Sequence, residues 1–130
     1  MSNQEYKPSY TQDAVEIEKQ RRICVAVWAY AYEELCASIV SDSLFDDVCN
    51  QIDVNISTDN PVMDRWFKIH FEPCTGSWIG QHPEKEKIRL KAIQMLSHFK
   101  INYRDNLTKQ WVMFPKEKEQ TVQTERATIS

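Results

Sequence analysis

Glycine is nearly absent from this chain: only Gly76 and Gly80 occur in 130 residues, four positions apart. All-β folds need many tight turns, and phosphate-cradling loops need backbone conformations that glycine adopts most freely. Both are disfavoured here. No apolar run approaches the roughly 20 residues that span a bilayer, and the N-terminus is polar rather than basic and then apolar. The expectation is a cytoplasmic protein with no membrane partner. Positive charge is not in excess either. Sixteen Lys and Arg against 19 Asp and Glu give a net charge of −3, so no bulk attraction to nucleic acid is implied, and only a local basic patch would provide one. The cysteines Cys24, Cys36, Cys49 and Cys74 form no Cys-x-x-Cys pair. In a reducing compartment, buried thiols are the expected state.

What is present fits one domain of ordinary globular composition, 42% apolar and 27% charged. Residues 1–12 are polar and form a flexible lead-in. Asp13 can cap a first helix, with Glu16 as its capping-box partner. That helix runs to about Ala37, and its centre from Ile23 to Ala31 is apolar on nearly all sides, which marks a central rather than a peripheral helix. Ser41 or Asp42 caps a second helix, in which Leu44, Phe45, Val48, Cys49 and Ile52 recur at three- and four-residue spacing. Asn60 followed by Pro61 starts a third, with Met63, Trp66, Phe67, His70 and Phe71 on one face. Pro83 opens a fourth, with Ile88, Leu90, Ala92, Ile93, Met95, Leu96 and Phe99 inside. The run Trp111–Phe114 is open between a strand, a helix end and a segment docked on the core. Residues 116–130 are charged and then rich in Thr and Gln, the composition of a disordered tail. The fold class is therefore all-α: a bundle of about four helices over residues 13–115, with a helical hairpin and an extended C-terminal tail.

Few side chains announce chemistry. Trp66 and Trp78 lie near the two glycines and are candidate partner-binding aromatics, with Trp78 tucked into the core as the competing reading. His70, Cys74 and His82 lack the paired spacing that presents two zinc ligands together, so no metal is expected. No local signature sets a nucleophile beside a base.

The hairpin is more specific. The first helix ends near Tyr32-Glu33, and a short turn leads to Asp42-Ser43-Leu44-Phe45-Asp46. Over about residues 28–52 this resembles the N-terminal helical subdomain of NAD-dependent DNA ligases, where a helix ending in Tyr-His leads without a gap to Asp-x-x-Tyr-Asp. Tyr32 matches the family's first tyrosine, and Asp42 and Asp46 match its two aspartates. Phe45 stands at the second tyrosine and Glu33 at the histidine. The resemblance implies contact of Tyr32, Asp42, Phe45 and Asp46 with the nicotinamide mononucleotide (NMN) half of NAD. Glu33 brings an acid toward that ligand's phosphate. The Lys-x-Asp-Gly nucleophile motif of the ligases is absent from the chain, so it offers no route to an adenylated enzyme. A purely structural use of the same residues is the competing reading: a helix cap, a packed ring and cross-hairpin hydrogen bonds.

Two function classes follow. The first, favoured by the sequence, is a non-enzymatic accessory or protein-interaction protein without a cofactor. A phage or other mobile genome, where stand-alone fragments are common, would suit it. The second is an NMN- or NAD-binding module without ligase activity.

Overall fold

The computed structural model describes residues 12–73 and 75–115. The flexible lead-in expected for residues 1–12 falls, apart from Gln12, outside them. So do Cys74 and the tail expected from Lys116 onward.

Four helices dominate: α1 (Gln12–Glu34), α2 (Asp42–Gln51), α3 (Pro61–His70) and α4 (Lys85–His98), with a 3-10 turn at Ser77–Gln81. Two short strands follow, β1 (Tyr103–Asp105) and β2 (Gln110–Val112). Helix α1 is the axis. It lies against α2, α4 and the 3-10 turn, and Val25, Ala26, Val27, Ala29, Tyr30 and Ala31 are all buried. Burial around most of its circumference follows from its central apolar run, since such a helix has no face suited to water.

The caps set where the other helices begin. At α2 the cap is Ser41, whose Oγ accepts from the Leu44 N–H at 3.1 Å. Asp42 lies in the first turn, where its charge favours the helix dipole. Asn60 Oδ1 accepts from the Met63 N–H at 3.1 Å, and Pro61 follows at the first helical position. Helix α4 starts at Lys85, after the expected Pro83, and uses no side-chain cap from its own first residue; His82 Nδ1 instead accepts the Glu84 N–H at 3.0 Å.

Periodicity decides which residues face inward, and several expectations need correction. In α4, Ile88, Ala92 and Leu96 are buried at i, i+4 and i+8, whereas Leu90 and Phe99 are exposed. Leu90 lies about 200° around the helix from Ile88, on the far side of that stripe. Leu44 is 43% exposed, for Phe45, Val48 and Cys49 meet the core instead. Helix α4 ends in a Schellman turn: the Ile101 N–H reaches the Leu96 carbonyl at 2.8 Å, with Lys100 left-handed at φ 55°.

Helix α1 stops at Glu34, short of Ala37. Cys36 turns left-handed at φ 53°, and the Ala37 N–H returns to the Ala31 carbonyl at 3.0 Å. The carbonyls that α1 leaves unpaired are met from the C-terminal hairpin. Arg104 N–H donates to the Leu35 carbonyl and Asn106 N–H to the Glu34 carbonyl, both at 3.0 Å, and Asn106 Nδ2 reaches the Glu33 carbonyl at 3.2 Å. Trp111 and Val112 are thus strand: β1 and β2 pair antiparallel, with Tyr103 opposite Val112 and Asp105 opposite Gln110. Arg89 of α4 holds the hairpin through two hydrogen bonds to the Asp105 carboxylate and reaches α1 through one to the Tyr30 hydroxyl. The Arg89 bonds hold the Asp105 carboxyl below the usual carboxylate range, although its partial burial opposes them.

A second polar cluster lies inside. Glu18 and Arg22 of α1 are buried and paired at 2.8 Å. Arg22 also donates to Asp64 Oδ1 at 2.8 Å and to the carbonyls of Asp53 and Ile56 at 2.9 and 3.0 Å. Glu18 Oε2 accepts the Asp53 N–H at 3.1 Å. One guanidinium thereby ties the α2–α3 connection and the first turn of α3 to the axis.

Two stability outcomes follow. Ser41→Ala is expected to cost about 1 kcal/mol as a lost N-cap, while Asp42→Ala costs only a few tenths; urea midpoints in the reverse order would refute this assignment. Arg22→Met should cost about 3–5 kcal/mol by leaving buried acid uncompensated. Adding Glu18→Gln to that variant should recover part of the loss, and a double variant no more stable than Arg22→Met would contradict the account.

Candidate functional site

The hairpin residues form a cleft. It has a volume of about 320 Å³ and lies where the end of α1, the connection at 38–40, the start of α2 and the loop at 75–76 meet. Helix α1 supplies Trp28 and Tyr32, four residues apart, and Ala29 and Glu33, likewise four apart. That spacing puts each pair on one strip of helix surface. Helix α2 supplies Asp42, Phe45 and Asp46 at i, i+3 and i+4, again one face. Thr75 and Gly76 close the rim. A Cβ on Gly76 would stand 3.1 Å from the Ala29 Cβ, tighter than ordinary contact, so a residue without a side chain lets this loop come so near the helix.

The four candidate ligand-contacting residues, Tyr32, Asp42, Phe45 and Asp46, therefore line one cleft. Tyr32 is 61% exposed, and Phe45 is half-buried against the core. Trp28 and Glu33 join them. The Trp28 indole Nε1 is buried and finds no hydrogen-bond partner among the described residues. Among the described residues no Lys, Arg, His or Cys lines the cleft. Chemically it offers three carboxylates as acceptors and three aromatic rings as stacking surfaces, with no group placed as nucleophile and base.

The two candidate partner-binding aromatics are elsewhere, and their role needs correcting. Trp66 is 9% exposed and Trp78 4%. They stack with Phe67, Phe71, His70 and His82 at centroid distances from 4.9 to 5.9 Å. Trp78 turns inward because its indole N–H has a partner there, the Thr75 carbonyl at 2.6 Å. Their rings build the core and do not present themselves to a partner. The exposed tryptophan is Trp111 on β2, at 62%.

Among the described residues no cluster of three or more His, Cys, Asp or Glu is arranged to hold a metal. Cys49 is buried and Cys24 half-buried, but Cys36 is exposed, contrary to the expectation for all three. Burial pushes the Cys24 thiol pKa up. No helix among the described residues is long and apolar enough to cross a membrane.

A second cleft of about 280 Å³ lies between α1, α3 and the start of α4, lined in part by Lys19, Met63, Phe67, His82 and Ile88. Burial drives the His82 pKa down to about 4 from its ordinary 6.5, against an opposing pull from Glu84. Compared with known protein families, curated proteins and solved structures, the chain matches none.

The buried imidazole makes stability depend on pH. The unfolded chain takes up this proton near pH 6.5 and the folded one only near 4. Stability is thus complete above pH 6.5 and falls as the pH drops toward 4, by up to about 3 kcal/mol. The lowered carboxyl of Asp105 contributes its own loss only at more acid pH. Urea melts between pH 7 and 4 should slope downward in the parent and be nearly flat over that window in His82→Gln. Equal slopes would show that the histidine is not the group responsible.

Proposed function

We propose that this protein is a non-enzymatic accessory module that binds the nicotinamide-bearing half of NAD, or free NMN, in the α1–α2 cleft. One observation carries the reading: the four positions that match the ligase motif line a single open cleft. Its volume is at the lower end of the range in which small ligands are held, about 300–1,000 Å³. In this reading Tyr32 and Phe45 contact the nicotinamide ring, and Asp42 and Asp46 accept hydrogen bonds from ribose hydroxyls. What supports a role without catalysis is the missing Lys-x-Asp-Gly motif, together with a cleft lined by no Lys, His or Cys among the described residues. The protein-interaction reading ranks second, because Trp66 and Trp78 lie in the core.

Ligand binding to the native state alone raises stability by about 2.7 kcal/mol at a hundredfold excess over the dissociation constant. For a domain of this size that is a rise in melting temperature of roughly 10 °C. NMN is expected to give such a rise in the parent and none in Asp46→Ala, a variant that should itself remain folded. Saturating NMN and NAD that both leave the parent's melting unchanged would overturn the proposal.

A further inference from the structure

Building on that reading of the cleft, we infer that its preferred ligand is a compact organic cation without a phosphate: a pyridinium nucleoside rather than the nucleotide.

Charge is the first reason. Glu33, Asp42 and Asp46 line the cleft, and no basic side chain among the described residues does. None of the three is ion-paired among the described residues: the salt bridges there involve Glu16, Glu18, Asp64, Glu84 and Asp105. Three uncompensated carboxylates at one cleft attract a cation and repel a phosphate, most strongly where the walls exclude water. The ring system is the second reason. Trp28, Tyr32 and Phe45 offer aromatic faces, whose quadrupole favours a positive charge over a neutral ring of the same shape. Size is the third. About 320 Å³ suits a ring and one sugar better than a dinucleotide.

In the ligase motif, a histidine stands where Glu33 stands here. A neutral or cationic side chain at that place tolerates a phosphate, and a carboxylate opposes it. Glu33 therefore becomes the specificity-determining residue of the cleft, and it is exposed, so it can be changed without disturbing the core.

The test is calorimetric titration of the full chain at low salt with nicotinamide riboside, NMN and neutral nicotinamide. The riboside should bind, with NMN and nicotinamide each at least about tenfold weaker. The gap between riboside and NMN should close as salt is raised, because screening weakens the repulsion of the phosphate. Glu33→Gln should narrow the same gap at low salt by strengthening NMN relative to the riboside. Asp46→Asn, checked for an unchanged fold by circular dichroism, should weaken the riboside several-fold. NMN binding as tightly as the riboside or tighter would sink the inference while leaving the proposed function standing. Nicotinamide binding as tightly as the riboside would remove the role of the positive charge. No binding by any of the three would overturn the inference together with the reading it rests on.

Discussion

A guanidinium inside a protein has to be met on every side, and that requirement at Arg22 organises much of this fold. Its N–H groups reach Glu18, Asp64 and the carbonyls of Asp53 and Ile56. These partners come from α1 itself, from the α2–α3 connection and from α3. An unpaired charge in that position would be costly enough to exclude most alternative arrangements. The Asp64 carboxyl is kept below its ordinary pKa against the effect of its own burial, chiefly by hydrogen bonds from Thr58 and also by Arg22. Arg22 further lies 5.4 Å over the Phe67 ring, joining the polar cluster to the aromatic core.

A similar arrangement operates at the other end of the molecule. Arg89 joins α4 to the β-hairpin through Asp105, and the hairpin backbone meets the last carbonyls of α1. Between these two anchors, α1 is held along its length, and α2 lies against it. The cleft lies between the start of α2 and the end of α1. Its wall is shared with the core at Trp28, Ala29, Ile39 and Phe45, while Tyr32 stays exposed at its edge.

That position accounts for the character of the cleft. Its aromatic rings and carboxylates converge because each set has helical spacing on its own helix, and the two helices are joined by a turn too short to separate them. Gly76 lets the 3-10 loop approach α1 and close one side. The other glycine, Gly80, has open space where a side chain would be, so no close approach accounts for it. Among the described residues the cleft is lined by three aromatic rings and three carboxylates and by no cationic side chain.

The helices themselves, the starts of α2 and α3 and the centrality of α1 were legible in the sequence, whereas whether Tyr32, Asp42, Phe45 and Asp46 converge on a cleft was not. The legible features depend on residues close together in the chain: caps, three- and four-residue spacing, and an uninterrupted apolar run. What local pattern did not contain was pairing across long distances. Arg22 with Asp64, Arg89 with Asp105 and Asn106 with the end of α1 are separated by 16 to 73 residues, and a charged residue in an amphipathic helix looks the same whether or not its partner arrives. For the same reason Trp78 read either as a partner-binding loop aromatic or as part of the core, and the Thr75 carbonyl and the rings of Trp66 and Phe71 decided for the core. The end of α1 and the strand at Trp111 were likewise tertiary decisions, because the carbonyls of one supplied the hydrogen bonds that the backbone of the other required. The sequence by itself determined which segments are helical and which residues share a face; the tertiary structure decided which faces are buried and which enclose a cleft, because burial is settled only when distant segments satisfy each other's charges and hydrogen bonds.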